Sequence, residues 1–124
     1  MEAHLLALTT ELFFAPTLKG MAEKQAMPLE WIESPLPLAD LLTRLHNRPP
    51  VLIILDLNTI LPWRDWLLAA KADPRTAAIP WFAYGSHKDA RTLAAARRLG
   101  ADKVVPRSAL AAELSAWLGK LDHS

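Results

Sequence analysis

The chain has 124 residues, of which 52% are hydrophobic and 22% charged, and it contains no cysteine. This composition supplies one hydrophobic core and excludes a disordered chain, a disulfide framework, a thiolate metal site and a thiol nucleophile. Its apolar stretches are shorter than the ~18–20 residues of a membrane-spanning helix, and its first residues do not resemble a signal peptide. We therefore expect a cytoplasmic protein with a single domain over residues 1–124 and no membrane contact.

The charges are unevenly distributed although the formal net charge is only +1. Residues 63–107 carry nine basic and four acidic residues, whereas residues 1–62 carry four basic and seven acidic residues. A basic segment can mark a nucleic-acid interface. These basic residues fall in several predicted elements, however, which favours solvated helix surfaces, and we predict no binding to nucleic acid.

Five short apolar segments alternate with five segments of helical pattern. The predicted strands are His4–Thr10, Leu29–Glu33, Val51–Leu57, Ile79–Tyr84 and Lys103–Val105. The predicted helices are Glu11–Gln25, with Pro16 in its first turn or at a kink, a helix opened by Pro37, Trp63–Lys71, Asp89–Leu99, and a last helix capped by Ser108. This alternation predicts an α/β fold in which helices cover both faces of a five-stranded, doubly wound parallel sheet.

Polar residues follow several of the predicted strands. Because parallel strands end at one edge of a sheet, we expect any functional group to lie at that edge. The residues concerned are Thr9, Thr10, Glu11, Asp56, Asn58, Gly85, Ser86, His87, Pro106 and Arg107.

The whole chain resembles a receiver domain of bacterial two-component response regulators in length, element order and spacing. The segment Pro50–Leu57 is similar to the receiver segment that ends in the phosphoacceptor aspartate, here Asp56. Ile79-Pro80 and Gly100-Ala101-Asp102 also match common receiver usage. The resemblance implies a flavodoxin-like fold with strand order 2-1-3-4-5. It also implies a regulatory protein rather than an enzyme, with protein partners on the face of the fourth helix, fifth strand and fifth helix.

Three positions depart from the receiver pattern. Thr9 and Thr10 stand where receivers have two acidic residues that hold a divalent cation. Gly85, with Ser86 after it, takes the place of a threonine or serine, and Arg107, with a proline before it rather than after it, takes the place of a lysine. Phosphoryl transfer in this family needs Mg²⁺, which prefers carboxylate ligands.

We therefore predict an atypical receiver, or pseudo-receiver, that does not use ordinary Mg²⁺-dependent phosphorylation. Asp56 would then be a structural carboxylate with Arg107 as its partner. No cofactor is expected, and Mg²⁺ would bind only if Glu11 joined Asp56 as a ligand.

Two alternatives remain open from the sequence. In the first, the chain is an active response regulator phosphorylated at Asp56, with Ser86 and Arg107 as phosphate contacts. In the second, it is a small flavodoxin-like hydrolase or nucleotide-binding module that uses Asp56, Ser86, His87 and Arg107. The sequence contains no G-x-S-x-G elbow and no glycine-rich phosphate loop, and its histidines, at 4, 46, 87 and 123, lack metal-ligand spacing.

Two surface features suggest protein contacts. Trp63 and Trp66 lie three residues apart on one helix, and they either pack into the core or anchor a partner. The alanine-rich helix Asp89–Leu99 and the Trp117-bearing last helix favour a homodimer through that pair of helices if they leave apolar surface uncovered.

Overall fold

All five predicted strands and all five predicted helices are present in the computed structural model, which describes residues 3–11 and 13–121. The strands are β1 (Leu5–Leu8), β2 (Leu29–Ile32), β3 (Leu52–Asp56), β4 (Trp81–Gly85) and β5 (Lys103–Pro106). The helices are α1 (Ala15–Lys24), α2 (Leu38–Asn47), α3 (Trp63–Ala72), α4 (Ala90–Leu99) and α5 (Leu110–Leu121). The predicted α/β fold class is confirmed.

Two helix starts differ from the prediction. α1 begins at Ala15 rather than at Glu11, because Pro16 occupies its first turn, where a missing N–H costs no hydrogen bond. Leu12, part of the predicted helix, lies outside the described residues. Ser108 does not cap α5, since it lies inside a 3-10 turn that continues directly into the helix, whereas a capping residue needs non-helical backbone angles.

The strands form one parallel sheet in the order β2-β1-β3-β4-β5, as expected. β3 lies at the centre, between β1 and β4. In this register Leu8 pairs with Leu55, and Asp56 pairs with Tyr84. The residue that follows β1, Thr9, therefore lies next to the last residue of β3.

Two hydrophobic clusters hold the helices to the sheet. Side chains of α2, α3 and α4 pack on one face, and side chains of α1 and α5 pack on the other. Trp63 and Trp66 of α3 are 3% and 1% exposed and belong to the first cluster, so of the two interpretations core packing is confirmed. In the described part of the chain, no helix has the length and apolar character needed to cross a membrane.

Candidate functional site

The centre of the carboxyl edge of the sheet is a fully buried carboxylate. Asp56 is the last residue of β3 and has no exposed surface. Its Oδ2 accepts a hydrogen bond from the Thr9 hydroxyl at 2.8 Å, and its Oδ1 accepts one from the backbone N–H of Asn58 at 2.9 Å. Both carboxylate oxygens are therefore engaged by groups of the protein itself.

Arg107 supplies the positive charge beside this carboxylate. It begins the 3-10 turn after β5, and its Nη2 lies 3.8 Å from Asp56 Oδ1, an ion pair beyond hydrogen-bonding distance. The guanidinium carbon lies 5.6 Å from the centre of the Phe14 ring, within the range of a cation–π contact. Its buried Nε has no hydrogen-bond partner among the described residues. Arg107 is thus held by charge and by an aromatic ring.

The two threonines that follow β1 have different partners. Thr9 is 2% exposed, and its hydroxyl oxygen also accepts the backbone N–H of Glu11 at 3.0 Å. The Thr10 hydroxyl lies 3.2 Å from that of Thr59, in the loop after β3. Thr9 therefore stabilises Asp56 directly, whereas Thr10 ties the loop after β1 to the loop after β3.

Glu11 is engaged within its own turn. Its Oε1 accepts a hydrogen bond from the backbone N–H of Phe13 at 2.5 Å. This contact satisfies a backbone donor ahead of α1, much as an acidic side chain does at a helix start. In this conformation Glu11 does not join Asp56 as a second ligand.

Two aromatic residues, Phe14 and Tyr84, complete the site. From the sequence, Phe14 was expected only as part of the first helix and Tyr84 only as part of the fourth strand. Tyr84 pairs with Asp56 across the sheet and is 1% exposed, and the centres of the Tyr84 and Phe14 rings lie 5.8 Å apart in an edge-to-face arrangement. Burial raises the pKa of Tyr84 well above its ordinary value, and the negative charge of Asp56 raises it further. The signal that could have identified Tyr84 is its position, one residue before the end of β4.

Gly85 lies in a tightly packed position at the end of β4. A Cβ atom at this position would lie 3.2 Å from Leu57 Cβ and 3.3 Å from a methyl group of Leu93. The neighbouring Ser86 hydroxyl accepts the backbone N–H of Lys88 at 3.2 Å, and His87 is exposed. Within the described chain, neither Ser86 nor His87 hydrogen-bonds to Asp56, so the side chains required for a hydrolase do not form a connected set.

A cavity of about 360 Å³ opens at this edge, lined by Glu11, Phe13, Asn58 and Arg107. Asp56 is not one of the residues that line it. The cavity therefore presents the guanidinium and the loop side chains to solvent, while the aspartate lies beneath them.

The donor set of this edge does not fit Mg²⁺. Mg²⁺ favours an octahedral oxygen shell anchored by carboxylates. Here the one central carboxylate is buried with both oxygens hydrogen-bonded, and the two residues after β1 offer neutral hydroxyls. Among the residues that the structure describes, no three histidine, aspartate or glutamate side chains converge on a common point.

The comparisons with known proteins agree with this architecture at the level of the fold. No protein-family model matches the chain, and no curated protein is similar to it in sequence. Among solved structures, it is similar to the signal receiver domain of the DNA-binding response regulator protein merR from Colwellia psychrerythraea 34H. That pair has 20% identity and a TM-score of 0.81, and the match covers 99% of this chain and 100% of the other.

Two further structures are of the same kind. The receiver domain of NtrX from Brucella abortus matches with 18% identity and a TM-score of 0.72, covering 94% of this chain and 95% of the other. In a structure of a longer NtrX chain from Brucella abortus, the match has 20% identity and a TM-score of 0.68, and it covers 99% of this chain and 28% of that one. The chain therefore has the receiver fold of bacterial two-component response regulators.

Proposed function

We propose that the chain is an atypical receiver-like regulatory protein of bacterial signal transduction that acts by protein–protein contact, without ordinary Mg²⁺-dependent phosphorylation. The observation that carries this proposal is the complete burial of Asp56, whose carboxylate accepts a hydrogen bond from Thr9. The oxygen of a phosphoacceptor must be accessible to the phosphodonor, so that it attacks phosphorus in line with the leaving oxygen. A metal ion neutralises the charge of the transferred phosphoryl group. A buried, hydrogen-bonded aspartate that faces two threonines after β1 meets neither condition.

The charge balance of the site supports the same function. In a metal-binding site several carboxylates are compensated by a cation. Here one carboxylate faces one guanidinium at 3.8 Å, so the pair is already neutral. Asp56 and Arg107 therefore act as a structural pair that joins the ends of β3 and β5.

Phosphorylation is tested directly by intact-mass spectrometry. After incubation with acetyl phosphate and Mg²⁺, we expect no added mass of about 80 Da, the change produced by one phosphoryl group. A receiver domain that retains the acidic pair, treated in parallel, serves as the positive control. An adduct on this protein that is lost in Asp56→Asn would contradict the proposal and favour the active phosphoacceptor.

The proposed partner surface is the face of α4, β5 and α5. Support comes from the exposed side of α4, which carries three arginines, and from the Lys103–Glu113 ion pair at 3.4 Å that joins β5 to α5. The four large apolar side chains that the described chain exposes, Phe13, Leu38, Ile60 and Leu68, all lie elsewhere. We therefore propose polar, charge-dependent partner contacts at this face, which Arg97→Glu should weaken and Lys19→Glu on α1 should not.

A further inference from the structure

The cavity at the carboxyl edge of the sheet has the size and lining of a small-molecule site. Its volume is about 360 Å³, within the roughly 300–1,000 Å³ that is typical of ligand pockets. The lining residues come from the loops after β1 and β3 and the turn after β5: Glu11, Phe13, Asn58 and Arg107. We call this volume the edge cavity. An aromatic ring, an amide and two opposite charges line it.

The guanidinium of Arg107 has hydrogen-bond donors that the protein does not use. A guanidinium carries five N–H donors. That of Arg107 forms no hydrogen bond within the described chain, since Asp56 lies at 3.8 Å and the buried Nε has no partner. Leaving such donors without acceptors costs free energy. A carboxylate in the edge cavity would supply two acceptors in the geometry that a guanidinium favours.

Glu11 makes the edge cavity unsuitable for a simple anion. Its Oε1 accepts the backbone N–H of Phe13, and its carboxylate forms no ion pair with a described residue. With Asp56 beneath the cavity, two carboxylates therefore accompany one guanidinium. A purely anionic ligand would be repelled by Glu11, and a purely cationic ligand would be repelled by Arg107. The lining favours a ligand that carries both charges.

These charged groups lie close enough together to act on one residue. Burial raises the pKa of Tyr84, the negative charges of Asp56 and Glu11 raise it further, and the positive charge of Arg107 lowers it. The carboxylate and the guanidinium of the edge cavity are thus near neighbours, at the spacing that a small ligand can bridge.

Phe13 supplies an aromatic wall. It is 78% exposed, and its ring centre lies 5.1 Å from that of Phe14 in an edge-to-face arrangement. Phe14 is held in turn by the Tyr84 ring and the Arg107 guanidinium. This row of contacts keeps Phe13 beside the edge cavity although most of its surface is exposed. An aromatic ligand would extend the row and remove apolar surface from water.

We propose that the edge cavity reversibly binds a free α-amino acid with an aromatic side chain. The carboxylate of the ligand accepts hydrogen bonds from Arg107, its ammonium group donates to Glu11, and its ring packs on Phe13. The exposed amide of Asn58 offers a further donor and acceptor. This inference goes beyond the proposed function and does not depend on it, because it concerns binding of a small molecule and not phosphoryl transfer.

The test is an NMR titration of the isotope-labelled full chain with L-phenylalanine and two analogues that keep its ring. The first analogue, 3-phenylpropanoate, lacks the ammonium group, and the second, 2-phenylethylamine, lacks the carboxylate. Phenylalanine should shift the amide signals of Phe13 and Asn58 with a Kd of about 1 mM or below. Each analogue should bind about tenfold or more weakly, because it leaves one charge of the cavity unpaired.

Variants remove the same charges from the protein. In Glu11→Gln, which keeps an acceptor for the Phe13 N–H, phenylalanine should lose its preference over 3-phenylpropanoate. In Arg107→Gln it should lose its preference over 2-phenylethylamine. Phe13→Ala should weaken phenylalanine by about fivefold or more. Glu23→Gln on α1 and Leu68→Ala on α3, matched changes outside the cavity, should leave the Kd unchanged.

Three results would overturn the proposal. The first is the absence of shifts at this edge with phenylalanine up to about 10 mM, a concentration well above the expected Kd. The second is an analogue that binds the wild type as tightly as phenylalanine, which would make the cavity a simple anion or cation site. The third is a folded Glu11→Gln that retains the full preference over 3-phenylpropanoate. Glu11 lies outside the buried ion pair, so this variant decides the matter even if Arg107→Gln does not fold.

Discussion

Asp56 is a carboxylate with no exposed surface, at the end of the central strand of the sheet. Burying a carboxylate costs free energy unless hydrogen bonds and an opposite charge compensate it. Thr9, the backbone of Asn58 and Arg107 provide this compensation. The Thr9 hydroxyl donates a hydrogen bond to this carboxylate, whereas a second carboxylate at that position could not donate one when ionised.

The first prediction concerns the stability of this pair. Asp56→Asn should lower the free energy of unfolding by about 1–3 kcal/mol, because an amide leaves the Arg107 guanidinium without its negative partner and offers one acceptor instead of two. Urea melts at neutral pH measure the difference. An Asn variant as stable as the wild type would indicate that the carboxylate is repelled in its site, as in a working phosphoacceptor.

The second prediction uses the single tyrosine of the chain. Because burial raises the pKa of Tyr84, the folded protein keeps a proton that the unfolded chain loses above a pH of about 10. The stabilising contribution is therefore present below that pH and is lost as the pH rises further. The near-ultraviolet absorbance of tyrosinate should stay low until the protein unfolds.

Tyr84→Phe is the matched control for that titration. It removes the ionisable hydroxyl and retains the buried ring, so its urea midpoint should fall less between pH 9 and about 11 than that of the wild type. Equal losses in the two proteins would contradict a buried, protonated Tyr84.

At the scale of elements, capping residues fix both ends of α4. Asp89 accepts hydrogen bonds from the hydroxyl and the backbone N–H of Thr92, and the hydroxyl bond, followed by the backbone bond, lowers the pKa of Asp89. Gly100 ends the helix with a φ of 115°, in the left-handed region that favours glycine. These caps set the length of the helix that carries Arg91, Arg97 and Arg98.

The third prediction follows from the Gly100 backbone. Gly100→Ala should destabilise the protein by about 1–2 kcal/mol, because an L side chain is strained at this φ, and its Cβ would lie 3.0 Å from Lys71 Cγ. Gly119→Ala is the control, since Gly119 lies within α5 with no atom within 4 Å of the added Cβ. Urea melts should show a loss for the first variant and none for the second, and equal effects would contradict the argument.

At the scale of the whole molecule, size and charge agree with one folded unit. The accessible surface is 6610 Å², close to the roughly 6,600 Å² expected for a folded chain of this mass. The three arginines of α4 are balanced elsewhere in the chain, since its formal net charge is only +1.

The fourth prediction follows from this balance. Short duplex DNA should form no measurable complex at physiological ionic strength. Specific binding requires several basic side chains that lie close enough together to contact the phosphate backbone of one site. Fluorescence anisotropy of labelled duplex, repeated at low salt, measures this directly. A complex at physiological salt that Arg97→Ala or Arg98→Ala weakens would contradict the prediction and make α4 a nucleic-acid interface.

The element order and the parallel sheet could be predicted from the sequence because they depend on local patterns. The apolar run Leu52–Leu55 and the spacing of Leu38, Leu41 and Leu45 are typical of a buried strand and of an amphipathic helix, whatever lies elsewhere in the chain. Gly100 likewise marks a helix end by its own backbone freedom. The same local patterns predicted where three of the strands end, and therefore that Thr9, Asp56 and Arg107 lie at one edge of the sheet.

The state of the site depended on residues far apart in the sequence, so only the tertiary structure decided it. Thr9 and Asp56 are 47 positions apart, and their hydrogen bond exists because β1 and β3 pair in one particular register. The burial of Asp56 and the contact of Arg107 with Phe14 require α1, β3 and the turn after β5 to meet. A local pattern specifies which face a side chain occupies, but the contacts it makes there are set by the packing of distant elements.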